Sequence, residues 1–107
     1  MTNKKIVGLP TIVTDRLRIV LDSNLRNFYG IEVTGTVLMQ VHDHELRLYP
    51  TNHAMNAAVI KNISIGRFNL PNLWAKQNHV NVGDYVFLLA TDEGLCIYPA
   101  ALEVEHG

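Results

Sequence analysis

The sequence predicts a mainly β domain: a barrel assembled from two tandem copies of one unit, each with a single short helix. Three observations predict it. Arg18-Ile19-Val20-Leu21 through Leu46-Arg47-Leu48-Tyr49-Pro50 aligns without a gap on Arg67-Phe68-Asn69-Leu70 through Leu95-Cys96-Ile97-Tyr98-Pro99, at a constant offset of 67 − 18 = 49. Within each copy, short apolar runs rich in β-branched residues alternate with turn formers, the pattern of strands. Neither copy is long enough to bury a core of its own, so the two must cover each other. On that register identical residues fall at Arg18/Arg67, Leu21/Leu70, Val33/Val82, Val37/Val86, Asp43/Asp92, Leu46/Leu95, Tyr49/Tyr98 and Pro50/Pro99.

The elements follow in order. In copy one, Leu17-Arg18-Ile19-Val20-Leu21 reads as a strand, Asp22-Ser23 offers a helix cap, Asn24 to Tyr29 forms a short helix, and Gly30 ends it. A hairpin follows, with Thr36 to Val41 rising, a turn at His42-Asp43-His44-Glu45, and Leu46 to Tyr49 returning. In copy two, Ile63-Ser64-Ile65-Gly66-Arg67-Phe68 reads as the strand, Pro71-Asn72 starts the helix, and Leu73 to Gln77 forms its body. Its hairpin runs from Tyr85 to Ala90, turns at Thr91-Asp92-Glu93-Gly94 and returns through Leu95 to Tyr98. Pro50 and Pro99 close the hairpins, since proline cannot donate to a central ladder. Ala57 to Ile60 opens a further strand in copy two, with Ile6-Val7 and Thr11-Ile12-Val13 as its counterparts in copy one.

Composition sets the bounds. With 107 residues, 48% hydrophobic and 18% charged, the chain suits one pseudo-symmetric domain over 1–107, copy one at about 6–50 and copy two at about 57–99. Val86 to Ala90, its longest apolar run, is far short of the roughly 20 residues of a membrane helix, and Met1 to Lys5 is not followed by a secretory apolar core. A cytoplasmic protein with no membrane partner is expected. Cys96 is the lone cysteine, opposite Arg47 of the other copy in a strand pattern, and reads as a reduced structural thiol.

A net charge of −1 does not favour phosphate binding, but the charges are segregated. Between Lys61 and His79 lie Lys61, Arg67 and Lys76 with no carboxylate, whereas after Lys76 come Asp84, Asp92, Glu93, Glu103 and Glu105 with no Lys or Arg. Copy one follows more weakly, with Arg16, Arg18 and Arg26 early against Asp43 and Glu45 late. Two solvated faces would explain this as well as a nucleic-acid surface does.

The order Ile65-Gly66-Arg67-Phe68-Asn69-Leu70-Pro71, short helix, then Val80-Asn81-Val82-Gly83-Asp84-Tyr85-Val86 resembles the AbrB-type swapped-hairpin transcription factors. Copy one resembles them through Arg18-Ile19-Val20-Leu21 and Tyr29-Gly30-Ile31, but has Leu17 for Gly, Asp22 for Pro and Thr34-Gly35 for Gly83-Asp84. Two units in one chain are also similar to the MraZ regulators in arrangement, without their helical insert. The resemblance implies a swapped-hairpin β-barrel that binds double-stranded DNA and regulates transcription, needing no cofactor. It implies DNA contacts from Arg18 and Arg67 first, then Arg16, Arg26 and Lys76. Read without it, Arg67 beside a glycine is better explained by capping carbonyls or pairing with Asp22 or Asp84, and Arg18 by pairing with Asp15.

Other constellations are weaker. His42 and His44 stand two apart, as zinc ligands on a strand can, but the aligned Thr91-Asp92-Glu93-Gly94 argues for a plain turn and no metal site. Trp74 reads as a core anchor, and Tyr49 and Tyr98 as paired packing residues. No Gly-rich phosphate loop, nucleophile elbow or close carboxylate pair is present, so no enzyme is expected. The alternative to DNA binding is a structural or protein-interaction module on the same barrel; an antitoxin, which needs a long tail, ranks last. Two structural expectations complete the reading. Leu21, Leu70, Val37, Val86, Leu46 and Leu95 should share one core, and this pseudo-dimer within one chain can stand as a folded monomer, with Val86 to Ala90 and the edge after Ile6-Val7 as the free strands through which a further homodimer could pair.

Overall fold

A computed structural model of the chain describes residues 8–51, 58–92 and 94–100. In chain order it contains β1 (Leu9–Ile12), β2 (Arg18–Val20), α1 (Ser23–Tyr29), β3 (Gly35–His42), β4 (Glu45–Pro50), β5 (Val59–Ser64), β6 (Arg67–Asn69), α2 (Asn72–Gln77), β7 (Tyr85–Thr91) and β8 (Gly94–Pro99), with a 3-10 turn at Asp15–Leu17. The strands form one antiparallel sheet in the order β1-β7-β8-β4-β3-β5-β6-β2. It curls into a nearly closed barrel, because its two edges meet: Thr14 bridges to Arg18, and the Thr11 hydroxyl donates to the Val20 carbonyl. The first strand of each copy is exchanged, β1 pairing with β7 of copy two and β5 with β3 of copy one.

The ladders locate a pseudo-two-fold axis. A residue paired with its own repeat mate lies on that axis, and two such pairs occur: Ile19 with Phe68, where 68 − 19 = 49, and Arg47 with Cys96, where 96 − 47 = 49. One exit of the axis is therefore the β2/β6 ladder and the other the β4/β8 ladder, four strands away around an eight-stranded barrel. Upstream of Arg16 the offset becomes 64 − 14 = 50, because copy one carries one extra residue, Asp15, in the link from Thr14 to Arg18 that corresponds to Ile65-Gly66 between Ser64 and Arg67.

Inside the barrel lies one continuous core, in which Leu21, Val37, Leu46, Leu70, Val86 and Leu95 are all buried together with Ile19, Phe68 and Trp74. Exchange also ties the helices. The Trp74 indole N–H of α2 donates to the His44 carbonyl in the hairpin tip of copy one, 3.2 Å away. The Tyr29 hydroxyl of α1 bonds the Thr91 and Gly94 carbonyls at the tip of copy two. The Asp22 carboxylate caps α1 by accepting from Leu25 N–H, and Gly30 ends it in the left-handed region at φ 72°.

Several boundaries differ from the sequence expectation. Ile63 to Phe68 is not one strand: the chain reverses at Ile65-Gly66, both left-handed at φ 51° and 73°, giving the two-residue turn of a tight hairpin. Leu17 belongs not to β2 but to the equivalent reversal, at φ 56°. Both hairpins are longer than expected, since His42 pairs with Glu45 and Thr91 with Gly94. Val86 to Ala90 is not a free edge, because β1 pairs with Tyr85 through Leu88 and β8 with the other side. Ile6-Val7 lies outside the described residues.

Candidate nucleic-acid interface

At the β2/β6 exit of the axis, directly opposed residues share a face: Ile19 and Phe68 point into the core, and Arg18, Val20, Arg67 and Asn69 point outward. The repeat mates Arg18 and Arg67 thus stand on one surface, at the diagonal spacing of about 7–8 Å. They line a shared groove with Thr14, Asp15 and Val20. Neither is ion-paired with a described carboxylate. Asp22 and Asp84, the carboxylates expected to pair with Arg67, are used locally, Asp22 on the α1 cap and Asp84 accepting from the Asn81 N–H at 2.7 Å. Like charges sharing one surface repel, and an anion laid between them relieves that repulsion.

Arg16 comes close to this pair. Its carbonyl accepts from the Asn69 amide at 2.9 Å, and it lines a neighbouring groove with Lys61, Asn69 and Pro71. Lys76 is exposed in the last turn of α2 and lines neither groove. Arg26 departs from expectation. It is only 9% exposed, and its guanidinium donates to the Leu21 carbonyl at 3.3 Å and the Ile31 carbonyl at 3.4 Å. Its Nε also lies 3.9 Å from where a Cβ on Gly66 would stand. Arg26 therefore ties the two ends of α1 together beside the turn of copy two, and its guanidinium satisfies buried carbonyls.

The opposite exit has a different chemistry. There Arg47 is held by the Glu45 carboxylate, and Cys96 beside it is buried. Burial pushes the Cys96 thiol and the Tyr29 and Tyr98 hydroxyls above their ordinary values. Asp43 and Asp92 sit in the hairpin turns, and the His44 ring bonds the Asn78 side chain at 2.9 Å. Of the two arginine sites on the axis, one is neutralised within the fold and the other, Arg18 with Arg67, is open.

Sequence reasoning passed over two neighbours of this face. Lys61 was visible as a cation in a run without carboxylates, but its place beside Arg16 depends on β5 crossing to the other copy's β3. Ile65, exposed at the reversal before Arg67, was hidden by reading that segment as continuous strand. No helix among the described residues is long and apolar enough to cross a membrane. Comparison with protein-family models, curated proteins and solved structures finds no match for this chain.

Proposed function

We propose that this protein is a DNA-binding transcriptional regulator of the AbrB-like type, meeting duplex DNA on the β2/β6 face. The observation that carries the reading is the placement of Arg18 and Arg67. They are repeat mates on either side of the pseudo-two-fold axis, outward-facing and paired with no described carboxylate. Guanidinium groups related in this way suit the local symmetry of a duplex, meeting phosphates or guanine edges from both strands. Arg16, Lys61 and Lys76 supply further cations, whereas Arg26 is reassigned to the scaffold.

The test is an anisotropy titration with mixed genomic duplexes at low ionic strength. Arg18→Ala and Arg67→Ala should each weaken binding by about 1–3 kcal/mol, the scale of a lost arginine contact, and Asp92→Ala at a hairpin tip should change little. Five candidate cations set a log–log salt slope of about −3 to −5. No binding, or binding indifferent to both arginine changes, would favour the alternative of a protein-interaction module on the same barrel.

A further inference from the structure

The pseudo-symmetry of this face is broken in charge. Arg16 and Lys61 line one groove with Asn69 and Pro71, and among the described residues no carboxylate lines it. At the axis-related positions copy two supplies Ile65 for Arg16, and copy one supplies Thr11 for Lys61, Val20 for Asn69 and Asp22 for Pro71. The groove thus carries a formal charge of +2 on one side, from Arg16 and Lys61, and −1 on the other, from Asp22. The backbone is alike where the charge is not: Arg16 and Ile65 are both left-handed, at φ 64° and 51°. Side chains at equivalent tips therefore leave the surface from equivalent places, one cationic and one apolar.

We infer that this chain docks duplex DNA in one fixed orientation, with a backbone phosphate seated between Arg16 and Lys61 and no phosphate held at the axis-related position. This rests on the DNA-binding reading above and deepens it. Arg18 and Arg67 contact the duplex on both sides of the axis, and the Arg16/Lys61 groove chooses which way round the duplex lies. The preferred site is accordingly non-palindromic, unlike the site of a symmetric dimer.

The experiment selects duplexes from a random library on the full chain, then maps phosphate ethylation interference on the recovered site. The expected result is a non-palindromic consensus with strong interference on one flank only. Arg16→Asn, which suits the left-handed backbone, and Lys61→Gln should remove that flank's interference and together reduce the salt slope by about 1.8. Thermal melts of both variants establish that the fold is retained. A palindromic consensus with matching interference on both flanks overturns the fixed orientation while leaving DNA binding intact. Failure to recover any duplex overturns the functional reading on which the orientation depends.

Discussion

Ile65→Asn should stabilise this protein. Ile65 is held at φ 51°, where an L-residue with a branched Cβ is crowded against its own carbonyl, at a cost of about 1–2 kcal/mol that asparagine largely escapes. The side chain is 73% exposed, so only about a quarter of the roughly 2 kcal/mol of a buried isoleucine is lost, near 0.5 kcal/mol. Its N–H donates to the Thr34 hydroxyl at 3.0 Å and Gly66 N–H to the Val33 carbonyl at 2.7 Å, and an Asn-Gly turn keeps both bonds. The net gain is about 1 kcal/mol, or about 4 °C in melting temperature for a domain of this size. Urea unfolding followed by circular dichroism should show a higher midpoint at unchanged slope. Gly66→Ala is the counter-test: its Cβ would be 3.9 Å from the nearest atom, yet φ 73° penalises it, so stability should fall by about 1 kcal/mol. An Ile65→Asn midpoint equal to or below that of the parent would refute the strain argument.

Three further outcomes are expected. Trp74→Ala should cost about 3–5 kcal/mol, because it empties a core site and leaves the His44 carbonyl without its donor; since the bond joins the copies, fluorescence and circular dichroism of the parent should report one coincident transition. Burial raises Cys96 from 9.0, Tyr29 and Tyr98 from 10.0, so the folded state holds these protons more tightly than the unfolded one. Their contribution to stability is complete below about pH 9 and is lost as pH rises above it, and midpoints measured from pH 7 to 11 should fall accordingly. At neutral pH a thiol reagent should label Cys96 only as fast as the chain opens; rapid native labelling would contradict its burial.

The repeat made the architecture readable before any coordinates. A constant offset already demands that the copies share a core, and Leu21, Leu70, Val37 and Val86 meet there. The left-handed reversals were not readable, because Ile65, Leu17 and Arg16 lack the propensity that marks a tight turn; tertiary pairing of β5 with β6 imposes it. That Arg18 and Arg67 are mates followed from the repeat, and the β2/β6 ladder puts them on one face. Arg26 did not, since a cation on a short helix looks alike in sequence whether it faces water or a cluster of carbonyls. Lys61 depended on strand exchange, which periodicity does not encode.

Fusing the copies has released the axis positions from self-complementarity. In an assembly of identical subunits, whatever stands on a two-fold axis must tolerate its own image, so an arginine there would face an arginine and a cysteine would face a cysteine. One arrangement brings cation against cation, and the other sets two thiols side by side, open to oxidation. Carrying both copies in one polypeptide lets this barrel place Arg47 against Cys96, with Glu45 neutralising the guanidinium. Each side of the molecule can then diverge without the other having to match it, a freedom that separate identical chains never have.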